Sequence, residues 1–212
     1  MVNYPSDANP HMAQASLETD PFPHEEPAPF MHLYKSGCDS QAFIDDLEAE
    51  ENIEWLMAQT GGSPETPGGI SLVRDSRTTD FERVLHSSVG SDFKPTQLTG
   101  FPILYQLERA VWDYRQTYDL RLSRNEGWSI LKYGHGGQYL MHMDHGHNFP
   151  RLISVIAYLN TVKGSGSTVF PYMGVEIEAI ESNILIFPSS NPYAHLAEPT
   201  QDTKYVLVSF FQ

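Results

Sequence analysis

The sequence predicts a mainly β fold with flanking helices: a jelly roll or barrel behind an N-terminal helical support. Three observations predict it. From Trp128 onward the last 85 residues hold eight short β-rich runs with Gly, Pro and Asn at the joints, the spacing that such β folds produce. The stretch before them shows apolar residues at three- and four-residue intervals instead of strict alternation. Eleven Tyr and eleven Phe supply aromatic side chains that strands favour.

In chain order, residues 1–30 contain six prolines and no apolar periodicity, which predicts an extended or disordered acidic arm. Residues 31–212 form the domain, with helical support over 31–127 and the β core over 128–212. After Cys38, Asp39 or Ser40 can cap a helix in which Phe43, Ile44 and Leu47 share a face, followed by Ile53, Trp55 and Leu56. The segment GGSPETPGG ends it. A second helix over about 97–119 follows from the recurrence of Phe101, Leu104, Leu107, Val111, Tyr114 and Tyr118. The strand segments are WSILKYG, QYLMHMDH, RLISVIAYLN, STVFP, GVEIEA, NILIFPS, YAHL and TKYVLVSFF.

Thirteen basic against 27 acidic residues give a net charge of −14, which argues against nucleic acid and anionic membrane as partners. Residues 1–60 hold twelve Asp/Glu and one Lys, so the acidity belongs to the front of the chain and the rest is nearly balanced. The one cysteine, Cys38, excludes an internal disulfide framework and a Cys-based zinc or iron-sulfur centre. With no leader-like or membrane-spanning apolar stretch in view, the expected location is cytoplasmic.

The chemistry concentrates in QYLMHMDH. On a strand, His142 and Asp144 project from the same face and can converge on one ion. His195, in a later strand, is the best third ligand. Two imidazoles and a carboxylate leave open positions, as non-haem Fe(II) needs for a co-substrate and O2; zinc fits the ligands but favours a closed or hydrolytic site. His145 follows Asp144 and should face the other way. His135 and His147 sit in loops and are expected away from the metal.

Taken as a set, these residues resemble the Fe(II)- and 2-oxoglutarate-dependent oxygenases of the prolyl 4-hydroxylase type. The resemblance runs through Tyr133, Gly134, Gly136, Gly137, Tyr139, His142 and Asp144, then Arg151 and Tyr158-Leu159-Asn160. It continues in Ser165-Gly166-Ser167-Thr168-Val169-Phe170-Pro171 and in Lys204, nine residues after His195. Upstream, VRDSRTT (73–79) is similar to the arginine-serine loop of these hydroxylases. The resemblance implies a double-stranded β-helix, or jelly roll, of eight core strands supported by the N-terminal α-helices. It implies Fe(II) on His142, Asp144 and His195, with 2-oxoglutarate and O2 as co-substrates and ascorbate as an accessory reductant. Tyr133, Tyr158, Thr168 and Lys204 then bind 2-oxoglutarate, while Arg74, Arg77, Tyr139 and Arg151 fall on the substrate side.

Elementary physics favours that role for Lys204. A keto diacid inside a β roll needs a cation at the end remote from the metal, because an unpaired buried carboxylate is costly. In TKYVLVSFF, Lys204 shares its face with Val206, Val208 and Phe210. An edge-strand lysine is the other reading of this residue, and aromatic packing the other reading of Tyr133 and Tyr158. The expected activity is hydroxylation of a C–H bond, a prolyl residue of a peptide or protein first, with release of succinate and CO2. The alternatives are hydroxylation of a free amino acid or other small molecule, and a catalytically silent metal-binding roll. The loop His145–Pro150 and the VRDSRTT segment are expected to wall the substrate groove.

Overall fold

A computed structural model describes residues 21–60, 69, 70, 74–86 and 94–212. Residues 1–20 of the predicted arm, 61–68 of the Gly/Pro segment and Val73 lie outside these. The support region contains β1 (His24–Glu25), β2 (His32–Lys35), α1 (Ser40–Ala49), β3 (Leu56–Met57), β4 (Gln59–Thr60), β5 (Gly69–Ile70), β6 (Arg77–Asp80), α2 (Phe81–His86) and α3 (Pro95–Thr117). After it come β7 (Ser129–Tyr133), β8 (Tyr139–His142), β9 (Ile153–Tyr158) and β10 (Thr168–Phe170). Then follow β11 (Val175–Ile177), β12 (Asn183–Pro188), β13 (His195–Ala197) and β14 (Lys204–Phe211).

One sheet runs β1-β2-β12-β9-β14-β7-β6-β3 and a second β11-β10-β13-β8, with β4 and β5 paired apart. Alternation along β14 shows how the layers form. Val206 and Val208 join Tyr133, Tyr158, Phe170 and Phe187 in the core between the two large sheets. Tyr205, Leu207 and Phe211 face Phe43, Leu107 and Tyr114 of the helices. With both faces covered, a strand reads as a near-continuous apolar run, and full burial of a residue such as Leu207 contributes about 2 kcal/mol.

Local chemistry sets the helix ends. Asp39 Oδ1 accepts the Ala42 N–H at 3.1 Å, and Glu181 Oε1 accepts those of Ser40 and Gln41 at 3.0 Å each, placing acids at the positive end of α1. The helix ends at Ala49 because Glu50 is already extended. Ile53, Trp55 and Leu56 therefore do not prolong it, and Leu56–Met57 pairs with β6 instead. In α3 the inward face is Gly100, Ile103, Leu107, Ala110 and Tyr114. A Cβ on Gly100 would lie 2.5 Å from Leu85 Cδ2, so glycine admits α2 there. Phe101 lies about 100° around the helix from Gly100 and is 37% exposed, contrary to its place in the predicted stripe.

Residues 21–30, which composition assigns to the arm, are tied to the domain. Phe22 is buried, β1 pairs with β2, and Asp113 on α3 accepts both the Phe22 N–H and the Tyr34 hydroxyl at 3.0 Å. One buried aromatic ring and one buried carboxylate hold a segment that proline content assigned to the arm. Asp113→Ala strands two buried donors and should lower the unfolding free energy by about 2–3 kcal/mol, read by urea denaturation. Removal of residues 1–30 should lower it too, with removal of residues 1–20 as the control. Unchanged midpoints for Asp113→Ala and for the 1–30 deletion would refute this anchor.

Candidate active site

β8 and β13 lie side by side with His142 directly opposite His195, so both imidazoles leave one face of the sheet. Their ring centroids are 4.3 Å apart and the planes differ by 55°. Asp144, just past β8, turns its carboxylate between them: Oδ1 lies 3.5 Å from His142 Nε2 and Oδ2 3.8 Å from His195 Nε2. One ligand atom from each residue falls within 4.8 Å of the others.

Backbone carbonyls fix both tautomers. His142 Nδ1 donates to the Leu140 carbonyl at 2.9 Å and His195 Nδ1 to the Tyr193 carbonyl at 3.1 Å, which assigns the ligating role to Nε2. Burial lowers the His195 pKa to about 4, with Asp144 pulling the other way, so its Nε2 is a bare lone pair at neutral pH. Burial would raise the Asp144 carboxyl, but His195, His142 and the Ser154 hydroxyl outweigh it and hold the group well below the usual carboxylate range. A carboxylate and imidazole lone pairs aimed at one point repel unless a cation lies between them. The donor set therefore fits a divalent metal ion, and the two-imidazole, one-carboxylate composition fits Fe(II).

Tyr139 stacks on the His142 ring at 3.6 Å and 18°, and the Arg74 guanidinium lies over Tyr139 at 4.8 Å. Of the four residues placed on the substrate side, Tyr139 touches the triad and Arg74 packs on Tyr139. Arg151 approaches it with its donors engaged: Nε and Nη2 bond Glu126 at 2.6–3.1 Å, Nη1 reaches the Asp144 carbonyl at 3.5 Å, and the guanidinium lies 3.6 Å from the Phe210 ring centroid. Arg77 is exposed and opposite Lys132 in register, whose ammonium bonds Glu48 at 2.7 Å. It therefore emerges on the helix-facing side, away from the triad. His135 and His145 bond the carbonyls of Gln201 and Arg151.

At the start of β14, Lys204 is 2% exposed. Its Nζ donates to the Gly166 carbonyl at 2.7 Å and lies 4.8 Å from the Tyr133 ring centroid; among the described residues no carboxylate forms a salt bridge with it. Burial lowers its pKa to about 8, opposed by Glu198. The edge-strand reading fails, because β14 is bonded on both sides by β7 and β9. Tyr158 donates to Thr168 Oγ1 at 2.7 Å. Burial raises the hydroxyl pKa values of Tyr133 and Tyr158, so both remain proton donors. Arg74 nearby acts against that rise at Tyr133.

Sequence reasoning missed the groups behind Asp144. Ser154 donates to Asp144 Oδ2 at 2.7 Å and lies 2.8 Å from Ser189 Oγ; hydroxyls inside otherwise apolar strand segments were the available signal. It also missed a second cluster, His24, Glu26 and His32. There the imidazoles stack at 3.7 Å and 12°, and both His32 nitrogens bond tyrosine hydroxyls, of Tyr34 and Tyr118, at 2.9 Å. Parallel rings do not converge their lone pairs, so this is a structural polar network.

Residues 128–212 match the family model described as the 2OG-Fe(II) oxygenase superfamily. The transmembrane prolyl 4-hydroxylases of Homo sapiens and Mus musculus are 28% and 27% identical over 154 residues, covering 57% of this chain and 31% of theirs. The chain thus spans about a third of the length of these curated relatives. A prolyl-4-hydroxylase from Pseudomonas putida superposes with a TM-score of 0.58 at 16% identity, covering 86% of this chain and 92% of that one. A viral collagen prolyl hydroxylase from Paramecium Bursaria Chlorella virus-1, solved with 2OG, gives 0.56 at 14%, covering 86% and 95%. A Trichoplax adhaerens prolyl hydroxylase bound to a hypoxia inducible factor peptide fragment gives 0.59 at 14%, covering 86% and 83%. Residues 128–212 thus carry a resemblance to the 2OG-Fe(II) oxygenases, and the fold is the one shared with the prolyl hydroxylases it superposes on. No helix among the described residues is long and apolar enough to cross a membrane.

His142→Ala, Asp144→Ala and His195→Ala should each weaken divalent-metal binding by at least tenfold, on the order of what loss of a metal-site group costs, while circular dichroism stays folded. Calorimetric titration with Co(II) reads the change, and near-wild-type affinity in any variant removes that residue from the ligand set.

Proposed function

We propose that this chain is an Fe(II)- and 2-oxoglutarate-dependent dioxygenase that hydroxylates a C–H bond, in the first instance of a prolyl residue in a peptide or protein, releasing succinate and CO2. The observation that carries the reading is the buried ammonium of Lys204, which makes no salt bridge among the described residues, bonds only the Gly166 carbonyl, and lies over the ring of Tyr133. A silent metal-binding roll has no use for a buried cation so placed; a dianionic keto acid does.

On this reading β7 to β14 are the eight strands of a double-stranded β-helix, and α1, α2 and α3 support it. His142, Asp144 and His195 would hold Fe(II), which when bound activates O2 at the expense of the keto acid. Lys204 neutralises the distal carboxylate of 2-oxoglutarate as a point charge. Thr168, accepting from Tyr158, keeps its own proton for that carboxylate, and Tyr133 offers its hydroxyl nearer the metal. Arg74 and Tyr139 stand on the substrate side of His142. Leu140, Met141 and Met143, 45%, 46% and 51% exposed, offer apolar surface beside the ligand strand that suits a peptide better than a free amino acid. The relatives named as prolyl 4-hydroxylases support the prolyl choice. Cys38 as the sole cysteine favours a reducing compartment, with the cytoplasm proposed.

Succinate formation that requires both Fe(II) and 2-oxoglutarate, with ascorbate present, tests the reaction class. Mass spectrometry of proline-containing peptides for the gain of one oxygen tests the substrate. Absence of 2-oxoglutarate turnover with every peptide and with none would sink the oxygenase reading; turnover without peptide oxidation would sink the prolyl one.

Two outcomes follow for the anchor. Lys204→Ala should weaken 2-oxoglutarate binding by about 3 kcal/mol or more, the scale for removing one partner of a buried ion pair, while Co(II) affinity changes little. In the wild type, 2-oxoglutarate affinity should be flat below pH 8 and fall above it, since only the protonated lysine pairs with the carboxylate. Lys204→Arg should bind less tightly but abolish that fall. A pH-independent affinity in the wild type up to pH 10 would place the anchor elsewhere.

A further inference from the structure

Asp144 is the only carboxylate of the triad, and its two oxygens are not equivalent. Oδ1 lies 3.5 Å from His142 Nε2 and Oδ2 3.8 Å from His195 Nε2. Oδ2 accepts the Ser154 hydroxyl at 2.7 Å. Ser154 and Ser189 are each 1% exposed, and their Oγ atoms are 2.8 Å apart. Direction follows from chemistry: an ionised carboxylate only accepts, so Ser154 donates to Asp144, and the Ser154–Ser189 bond is then made by the Ser189 proton. The chain is Ser189 to Ser154 to Asp144, and each bond polarises the next.

Both hydroxyls sit on rigid backbone. Ser154 lies in β9, paired with β12 and β14. Ser189 follows β12; its N–H donates to the Leu152 carbonyl at 3.0 Å and its carbonyl accepts the His145 N–H at 3.0 Å. The same two serines therefore grip the carboxylate of Asp144 and the main chain one residue beyond it.

We infer that Ser154, backed by Ser189, is a positioning pair that restricts Asp144 to one-oxygen ligation through Oδ1. The inference rests on the proposed metal site and adds to it. A carboxylate free to rotate offers both oxygens to a metal and occupies a position that a chelating keto acid needs; with Oδ2 held by Ser154, that position stays open. The serines act through Asp144.

The test uses the full chain with Co(II) as probe, measuring its dissociation constant, its visible absorption and the 2-oxoglutarate affinity of the Co(II) form. Ser154→Ala should alter the Co(II) spectrum and weaken 2-oxoglutarate binding about tenfold or more, the usual cost of removing a partner of a metal ligand. Ser154→Thr, which keeps the hydroxyl, should restore both. Ser189→Ala should shift both in the same direction by less, and adding it to Ser154→Ala should change nothing further, since its effect passes through Ser154. A wild-type spectrum and 2-oxoglutarate affinity in folded Ser154→Ala would overturn the inference, as would full additivity of the two substitutions. Should the wild type fail to bind Co(II), or bind it equally after His142→Ala, the metal-site reading itself falls; normal metal binding with indifference to Ser154 removes the positioning role alone.

Discussion

β14 lies between β7 and β9, bonded from Lys204↔Tyr133 through Val208↔Ser129 on one side and from Val206↔Tyr158 through Phe211↔Ile153 on the other. That pairing fixes register for both core layers at once, because a one-residue slip would send Lys204 to the helix face and Tyr205 into the interior. Inside, the ammonium is desolvated and only partly compensated, by one carbonyl and the face of one aromatic ring. A charge kept so costs stability. The sheet supplies it through the apolar residues that follow on the same strand.

The segment 198–202 then ties the two glycine turns to the lysine. Gly136 N–H donates to the Thr200 carbonyl at 2.7 Å and Thr200 N–H to the Gly137 carbonyl at 3.1 Å, while Glu198 N–H reaches the Ser167 carbonyl at 2.9 Å. A Cβ on Gly137 would lie 2.8 Å from the Gly134 carbonyl oxygen, so the turn before β8 closes only on glycine. Gly166, at φ +71°, would press a Cβ against Thr200 at 3.2 Å and Lys204 Cδ at 3.4 Å. Ser165 fits because its hydroxyl accepts the Gln201 N–H at 3.0 Å. Glycine and serine in these turns thus answer to the backbone path that positions Lys204, the glycines through steric fit and Ser165 through its hydrogen bond.

What the sequence made legible tracks the length and strength of each pattern. Strand segments after Trp128 and the body of α3 were readable because several alternating or three- and four-spaced residues agree. β2, β6 and α2, of four to six residues, are too short to display a period, and the hold on Phe22 depends on Asp113, ninety-one positions away. His142 and Asp144 stand out because they are two positions apart in one β-rich run, and Lys204 because a charge stands in an apolar run; their roles belong to the proposed function. Arg77 and Arg151 were not legible, since register decides which face Arg77 leaves and Glu126, a distant partner, decides how Arg151 spends its donors. Ser154 and Ser189 carry no motif of their own and gain meaning only from the packing around Asp144.

The two histidine clusters show why composition alone does not make a metal centre. His24, Glu26 and His32 contain the same donor types as His142, Asp144 and His195, and in each cluster a histidine Nδ1 meets the carbonyl of the residue two positions before it. The difference lies in the partner strand. β1 and β2 pair with His24 opposite Tyr34, which leaves His24 free to stack flat on His32 and leaves the tyrosine hydroxyls to fill both His32 nitrogens. β8 and β13 pair histidine with histidine, tilt the rings, and leave Asp144 to enter from the strand end, where it accepts the Ser154 hydroxyl. Where lone pairs converge the array fits a cation; where hydroxyls already satisfy them, the same residues hold the N-terminal strand to the domain.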